Sequence, residues 1–300
     1  MDTVSRIAPS AWLIDASIYV FRAWHSLPDE FSDADGHPVN AVHGFARFLL
    51  ELLEHQRPKH IAVAFDVALE HSFRNAIYPA YKANRDPAPE SLKRQFEQCM
   101  ALTRGLGLTT LADPRYEADD LIGSSVHRLR EHGLRSIIIS ADKDLSQLLD
   151  SADEQWDYAR NQRWGHAEVK VRYGVHPHQM ADFLGLAGDA ADNIPGVPGI
   201  GSKTAAALLA HFDNLDALLQ RVEEVPFLRL RGAAQMAQRL RDHGAQALLS
   251  RRLATIACDA PLPDDFALAQ RRAHTAELAD LLDQLRFGPM TRRRINALGG

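Results

Sequence analysis

Three short apolar runs, each containing or leading into an aspartate, constrain the fold of this 300-residue chain most strongly. They are residues 11–17 (AWLIDAS), 60–66 (HIAVAFD) and 136–141 (SIIISA), the last of which runs directly into Asp142. Continuous apolar runs of this length are typical of parallel strands that are buried on both faces. We therefore predict three strands of a buried parallel sheet.

The stretches between these runs have the periodicity of amphipathic helices. Apolar side chains recur every three or four positions in residues 42–55 and again in residues 91–106. Strands that alternate with helices predict an α/β fold with a mainly parallel central sheet flanked by helices. Because ligands of such folds bind at the carboxyl ends of the strands, we expect the aspartates of these runs at one edge of the sheet.

Nine carboxylates stand at these strand ends or in short loops, several of them in tight clusters. Clustered carboxylates repel one another unless a cation neutralises them, and hard divalent ions such as Mg²⁺ or Mn²⁺ prefer oxygen ligands. A single acid at a strand end or helix start is usually a turn or cap residue, but three clusters together favour a metal site. We predict a metal-dependent reaction on phosphate, with candidate ligands Asp15, Asp66, Glu117, Asp119, Asp120, Asp142, Asp144, Asp189 and Asp192.

A Gly-rich segment, residues 196–204 (GVPGIGSKT), precedes an apolar helical stretch. Its glycines can expose backbone N–H groups at a helix N-terminus, so it predicts a hairpin between two helices that grips a nucleic-acid backbone. A Gly-rich turn between domains explains the same segment equally well. The candidate nucleic-acid contacts are Gly196, Gly199, Gly201, Ser202 and Lys203.

Basic and aromatic residues are interleaved within residues 73–85. Such a mixture suits a single nucleic-acid strand, because cations meet phosphates while rings stack on bases. We predict that Arg74 and Tyr81 contact this strand, and that Arg74, Lys82 and Arg85 can reach a scissile phosphate, on which Lys82 and Arg85 would act. A solvated basic loop is the simpler interpretation of this segment taken alone.

Composition and charge exclude few partners. The net charge is −5, yet without the nine clustered carboxylates 30 acidic residues stand against 34 basic ones. The two distant cysteines, Cys99 and Cys258, suggest neither a disulfide framework nor a zinc site. Since no apolar run approaches a membrane-spanning length, we expect a soluble protein with no membrane partner. The few cysteines fit a reducing cytoplasm, and we expect a monomer.

These segments resemble the 5′ nucleases, the family that includes the 5′–3′ exonuclease domain of bacterial DNA polymerase I and the flap endonucleases. The resemblance ends where a polymerase would begin, so a free-standing nuclease is expected. One departure is Ser140-Ala141 before Asp142, where Thr-Gly is usual. The matching segments are residues 13–28, 62–66, 73–89, 117–123 (EADDLIG), 141–149 (ADKDLSQLL), 188–205 (GDAADNIPGVPGIGSKTA) and 253–262.

The resemblance implies a PIN-like nuclease domain in residues 1–180 with the nine carboxylates as metal ligands. A helical arch at about 70–105, around Tyr81, Lys82 and Arg85, would pass a 5′ single strand. Residues 181–290 would form a helix-three-turn-helix module that holds duplex DNA and can bind K⁺, followed by a basic tail at 291–300.

The activity implied by this resemblance is hydrolysis of DNA at a 5′ flap, nick or 5′ single-stranded end, with RNA-primed DNA as a further substrate. Two or more Mg²⁺ ions, or Mn²⁺, would take part, in DNA replication or repair. A structure-specific DNA-binding protein that does not cut is the main alternative, although it would gain nothing from nine carboxylates beside phosphates. A metal-dependent RNase or a small-molecule phosphatase on a similar sheet is the second alternative, and a helical module suited to a long duplex argues against a small substrate.

Overall fold

The structure is a computed structural model that describes residues 9–67, 72–263 and 275–298. The chain forms two compact units. Among the described residues, the sheet unit contains 9–67, 87–141, 258–263 and 275–298, and the helical unit contains 72–86 and 142–257. Each unit is assembled from separate stretches of the chain, which differs from the contiguous division at residue 180 that we predicted.

Four parallel strands form the centre of the sheet unit: β1 (Ser10–Asp15), β2 (His60–Ala64), β3 (Thr109–Leu111) and β4 (Arg135–Ile139). Strand β1 lies between β2 and β4, and β3 pairs with β2. Ala11, Leu13 and Ile14 of β1 are fully buried. The prediction of parallel strands covered on both faces is confirmed.

Helices make up most of the remaining described residues. The α-helices are α1 (Ala16–Ser26), α2 (Asn40–Gln56), α3 (Phe73–Ile77), α4 (Glu90–Gly105), α5 (Ala118–Glu131), α6 (His166–Tyr173), α7 (Met180–Ala187), α8 (Ser202–Phe212), α9 (Leu215–Gln220), α10 (Ala233–Ala254), α11 (Thr275–Gln284) and α12 (Pro289–Leu298). Short 3₁₀ helices span Asp144–Leu148, Pro177–Gln179 and Val222–Phe227.

Helix α4 belongs to the sheet unit, although it falls within the arch that we predicted at about 70–105. Its buried face carries Leu92, Phe96 and Cys99, and it packs against α2, β3 and α11. A helix with one apolar stripe is stabilised by covering that stripe, so α4 is part of the helical layer on the sheet. Of the predicted arch, only residues 72–86 of the described chain lie in the helical unit.

The C-terminal segment also packs in the sheet unit. Residues 291–298, which we predicted as the start of a basic tail, are helical as part of α12, and Ile295 is buried. Arg294 donates two hydrogen bonds of 2.7 Å to Glu54 of α2. This forked pairing fixes α12 on α2, so the prediction of a tail is corrected here.

Helices α7, α8 and α10 form the centre of the helical unit, with α7 packed against both of the others. The unit also contains an antiparallel strand pair, β5 (Glu154–Asp157) and β6 (Gln162–Gly165). The backbone of helix α10 leaves helical geometry at His243, where φ is −120°. Across the described ranges, no helix combines the length and the apolar character needed to cross a membrane.

Candidate metal centres and nucleic-acid interface

Five of the predicted metal ligands lie in the sheet unit, at strand ends and at the start of one helix. Asp15 is the last residue of β1 and is only 4% exposed. Ser140, which follows β4, donates from Oγ to Asp15 Oδ2 at 2.9 Å, so Asp15 lies at the carboxyl edge beside the end of β4. We call the five acids the strand-edge cluster: Asp15, Asp66, Glu117, Asp119 and Asp120.

Asp66 follows the end of β2, and hydrogen bonding ties it to the start of α1. Its backbone N–H donates to Ser17 Oγ at 3.0 Å, and Ser17 lies in the first turn of α1. The register of the parallel pair places Asp15 opposite Ala64, the last residue of β2. Asp15 and Asp66 are therefore at the ends of adjacent strands, which confirms their predicted placement at one edge of the sheet.

The start of α5 supplies the other three acids of the strand-edge cluster. Glu117 is the N-cap of α5, and Asp119 and Asp120 lie in its first turn. The Glu117 backbone N–H donates to Asp120 Oδ2 at 3.0 Å, as in a capping box. Negative side chains are stabilised at a helix N-terminus by the helix dipole, so the sequence can concentrate three carboxylates here.

The donor set of the strand-edge cluster fits a divalent cation. All five side chains offer carboxylate oxygens, the ligands that hard divalent ions prefer. Asp120 is fully buried and Glu117 is 5% exposed. A divalent ion bound here would supply positive charge to carboxylates that are buried this deeply.

A second group of predicted ligands lies in the helical unit, around a lysine. Lys143 Nζ donates a hydrogen bond to Asp189 Oδ2 and lies 3.3 Å from Asp144 Oδ1. The Asp144 backbone N–H donates to Asp142 Oδ1 at 2.9 Å, where the 3₁₀ helix Asp144–Leu148 begins. This helix packs against α7, and Asp189 follows the end of α7. We call Asp142, Lys143, Asp144 and Asp189 the lysine-centred cluster.

Charges within the lysine-centred cluster shift one another's pKa values. Burial and the neighbouring Asp142 raise the pKa of Asp144 to about 7. Although burial alone would lower it, the carboxylates of Asp144 and Asp189 raise the pKa of Lys143 above its usual range. Burial opposes the ionisation of Asp189, but the hydrogen bond from Lys143 holds the pKa of that carboxyl below its usual value. Lys143 is not among the site residues predicted from the sequence, although its position between two aspartates (ADKD) could have identified it.

The raised pKa of Asp144 predicts a pH-dependent stability of the protein without divalent ions. Because this pKa is about 7 in the fold and ordinarily 3.8, the free energy of unfolding should fall as pH rises between these two values. Asp144→Asn, which stays neutral, should be more stable than the wild type by about 1–3 kcal/mol at pH 8 and about equally stable at pH 4. Urea unfolding in EDTA at the two pH values measures this, with the exposed Asp280→Asn as control; an equal difference at both pH values would contradict it.

Asp192, the ninth predicted ligand, contacts both predicted catalytic side chains in the helical unit. The Arg85 guanidinium donates to Asp192 Oδ1, and Lys82 Nζ lies 3.9 Å from Asp192 Oδ2. The Lys82 backbone N–H also donates to the Asp192 carbonyl oxygen at 2.9 Å. Lys82 is 17% exposed and Arg85 48% exposed, so the guanidinium is the more accessible of the two.

Arg74 and Tyr81, two predicted DNA contacts, are buried. Arg74 is 3% exposed and donates to the carbonyl oxygens of Leu253 at 2.8 Å and Thr255 at 3.0 Å, at the C-terminal end of α10. Tyr81 is 4% exposed, and its hydroxyl donates to Asp192 Oδ2 at 3.3 Å. Both side chains therefore make contacts inside the helical unit and are not exposed to a strand of DNA. The prediction that Arg74 and Tyr81 contact such a strand is corrected here.

Replacing Arg74 should destabilise the protein. Arg74→Met keeps an apolar stem but leaves the Leu253 and Thr255 carbonyl oxygens without this donor, so we expect a loss of about 2–4 kcal/mol in the free energy of unfolding. Arg252→Met, at an exposed position of α10, should change it by less than about 0.5 kcal/mol. Urea titration of both variants measures the difference; an Arg74→Met midpoint equal to that of the wild type would refute the structural role.

The Gly-rich segment forms the turn between α7 and α8. The Val197 N–H donates to the Leu186 carbonyl at 2.8 Å, and Val197 and Ile200 are both 2% exposed, so apolar side chains anchor the turn. Gly196 is buried, whereas the other four candidate contacts are exposed around the first turn of α8: Gly199, Gly201, Ser202 and Lys203. The predicted hairpin between two helices is present, with an exposed edge that can meet a phosphate backbone.

A further group of potential ligand atoms, not singled out in the sequence, lies in a turn of the sheet unit. Ligand atoms of Asp33, Asp35 and His37 lie within 4.8 Å of one another. Asp33 Oδ1 accepts hydrogen bonds from the backbone N–H groups of Asp35 at 3.0 Å and His37 at 2.8 Å. These bonds account for Asp33 as a residue that stabilises the turn.

Comparison with known families covers both parts of the chain. Residues 10–174 match the model of the 5′–3′ exonuclease N-terminal, resolvase-like domain, and residues 175–277 match the model of the 5′–3′ exonuclease C-terminal SAM fold. The chain therefore belongs to the 5′–3′ exonuclease family, as the sequence motifs predicted.

Among curated proteins, the chain is similar to DNA polymerase I of Rhizobium leguminosarum, with 36% identity over 290 residues that cover 94% of this chain and 28% of that protein. It is also 36% identical to DNA polymerase I of Bacillus subtilis over 257 residues, which cover 83% of this chain and 28% of that protein. The chain thus spans less than a third of the length of these relatives.

Among solved structures, the T5 5′-exonuclease with bound zinc is similar with a TM-score of 0.68 and 18% identity, covering 96% of this chain and 98% of that chain. The catalytic core of Rad2 in complex with DNA substrate is similar with a TM-score of 0.64 and 13% identity, covering 97% of this chain and 93% of that chain. At such identities the likeness shows the fold, and it confirms the predicted PIN-like nuclease fold.

Proposed function

We propose that this chain is a metal-dependent 5′–3′ exonuclease and flap endonuclease, which hydrolyses DNA phosphodiesters near a 5′ end. One observation carries the proposal: a chain of the 5′–3′ exonuclease family places Asp15, Asp66 and the acidic start of α5 at strand ends and a helix N-terminus. A flap endonuclease of T5 in complex with DNA and metal ions has a similar fold, which supports a DNA substrate and a divalent metal.

Two divalent ions, Mg²⁺ in our proposal, would activate the attacking water and stabilise the leaving oxygen when bound. The strand-edge cluster would hold one ion through its five carboxylates. Asp142, Asp144, Asp189 and Asp192 would hold the other. Lys82 and Arg85 would donate hydrogen bonds to phosphoryl oxygens as negative charge develops on them, and cleavage would leave a 5′-phosphate and a 3′-hydroxyl.

The proposed substrate is a DNA duplex with a 5′ flap, nick or 5′ single-stranded end. The exposed start of α8 offers backbone N–H groups and the Lys203 ammonium to a phosphate backbone, a contact that carries no base sequence information. Binding of K⁺ at the turn before α8 and activity on RNA-primed DNA stay predictions of the family resemblance. Action as a cytoplasmic monomer stays a prediction from the sequence.

Lys82 should contribute to the chemical step more than to DNA binding. Lys82→Ala removes one cationic donor, so we expect kcat to fall by about 10²–10³-fold while the Kd for a flap duplex changes by less than about tenfold. Single-turnover cleavage and fluorescence anisotropy separate the two effects. Lys170→Ala, at an exposed lysine of the same unit, is the control; an equal loss in both variants would argue against a catalytic Lys82.

A comparison of substrates tests the proposed substrate class. The wild type with Mg²⁺ is given a 5′-flap DNA duplex, the same strand without its complement, and bis(p-nitrophenyl) phosphate. The proposal predicts the fastest hydrolysis for the flap duplex, with cuts near the junction. Comparable or faster hydrolysis of the small diester would instead support a phosphatase-like enzyme on this fold.

A further inference from the structure

The lysine-centred cluster contains a cation that the chain itself supplies. Lys143 Nζ hydrogen-bonds Asp189 Oδ2 and lies 3.3 Å from Asp144 Oδ1. The Lys143 side chain is 39% exposed, whereas Asp144 is 15% and Asp189 11% exposed. The Lys143 side chain therefore has more access to solvent than the two carboxylates, which are largely enclosed.

Two carboxylates of this cluster, those of Asp142 and Asp189, are fixed by bonds that do not involve Lys143. The Asp144 backbone N–H donates to Asp142 Oδ1 at 2.9 Å, and the Ala191 backbone N–H donates to Asp189 Oδ1 at 2.8 Å. The Lys143 ammonium, in contrast, is a compact and strongly hydrated charge at the end of a flexible four-carbon side chain. Removal of the ammonium would leave Asp142 and Asp189 held in place by these bonds.

We propose that Lys143 is a displaceable counter-ion, which competes with a divalent cation for the oxygens of Asp144 and Asp189 and so weakens metal binding at this cluster. This inference rests on the proposed function, since it takes the cluster to be a metal site. It assigns a role in metal affinity to a residue that is not itself a ligand. A neutral residue at position 143 removes the competitor, so divalent ions should bind more tightly.

Calorimetric titration with Mn²⁺ alone tests the proposal on the full chain. Lys143→Gln should bind Mn²⁺ at this cluster about tenfold more tightly than the wild type, the size of effect that one neighbouring charge has on an ionic equilibrium. Lys143→Arg keeps the charge and should stay within about twofold of the wild type. Lys93→Gln is the matched control, because Lys93 is 41% exposed and pairs with Glu90 at 2.9 Å. Asp189→Asn, combined with Lys143→Gln, should remove most of the gain in Mn²⁺ affinity. That result would assign the gain to this cluster.

Unchanged or weaker Mn²⁺ binding in a folded Lys143→Gln variant would overturn the counter-ion role while leaving the proposed metal site intact. Absence of any Mn²⁺ binding by the wild type would defeat both proposals. If Lys143→Gln does not fold, amine labelling of the wild type with mass-spectrometric readout decides the question. Mn²⁺ should increase the labelling of Lys143 and not of Lys93, and equal labelling of Lys143 with and without Mn²⁺ would refute the displacement.

Discussion

The Asp120→Asn variant is expected to cleave a 5′-flap duplex at least about a hundredfold more slowly than the wild type, at unchanged protein stability. Asp120 is fully buried in the first turn of α5, and its Oδ2 accepts the Glu117 backbone N–H at 3.0 Å. The amide oxygen of Asn can accept the same bond, so the capping of α5 is kept. The negative charge is lost, and with it a proposed metal ligand of the strand-edge cluster.

Cleavage rates at saturating DNA and urea unfolding of the same preparations separate these two properties of Asp120→Asn. Asp280→Asn, at an exposed position of α11 in the same unit, is the control and should match the wild type in both. If Asp120→Asn cleaved at the wild-type rate, Asp120 would be a cap residue only. Loss of stability together with activity would leave the ligand role unsupported.

The Gly196→Ala substitution should lower the free energy of unfolding by about 3 kcal/mol or more. Gly196 has a left-handed φ of +59°, and an added Cβ would lie 2.3 Å from the Gly188 nitrogen and 2.7 Å from the Ala187 carbonyl carbon. These neighbours are backbone atoms between α7 and the turn, so no side chain can rotate away to make room. The connection between α7 and α8 would have to shift as a whole.

Gly201 in the same turn provides a matched control for Gly196. Its φ is −93°, and a Cβ there would have no heavy atom within 4 Å. Gly201→Ala should change the free energy of unfolding by less than about 1 kcal/mol, the size of an N-cap effect. Thermal and urea unfolding of both variants measure the contrast; equal stability of Gly196→Ala and Gly201→Ala would show that the turn is not closely packed.

The strands that could be predicted from the sequence are those with a continuous apolar run. The runs at 11–17, 60–66 and 136–141 correspond to β1, β2 and β4, because burial on both faces requires apolar residues at every position. Strand β3 is only three residues long (TTL), and β5 and β6 (EQWD, QRWG) carry polar residues. Such short strands depend on their pairing partners and leave no periodic signal in the chain.

The placement of the candidate site residues was predictable where local sequence decides it, and not where distant contacts do. Asp15 and Asp66 lie at strand ends and Glu117 at a helix start, which the strand and helix patterns indicate directly. The burial of Arg74 depends on the Leu253 and Thr255 carbonyl groups, about 180 residues further along the chain. The sequence near residue 74 does not indicate such a contact. The buried Arg74 is therefore predicted as a residue of a basic loop.

The most direct test of the proposed nuclease is cleavage of a 5′-labelled flap duplex by the wild-type chain, with Mg²⁺ and with EDTA. We predict labelled products cut near the flap junction in Mg²⁺ and an intact substrate in EDTA. A chain that binds the duplex tightly but leaves it uncut in both Mg²⁺ and Mn²⁺ would contradict the proposal and identify a structure-specific DNA-binding protein instead.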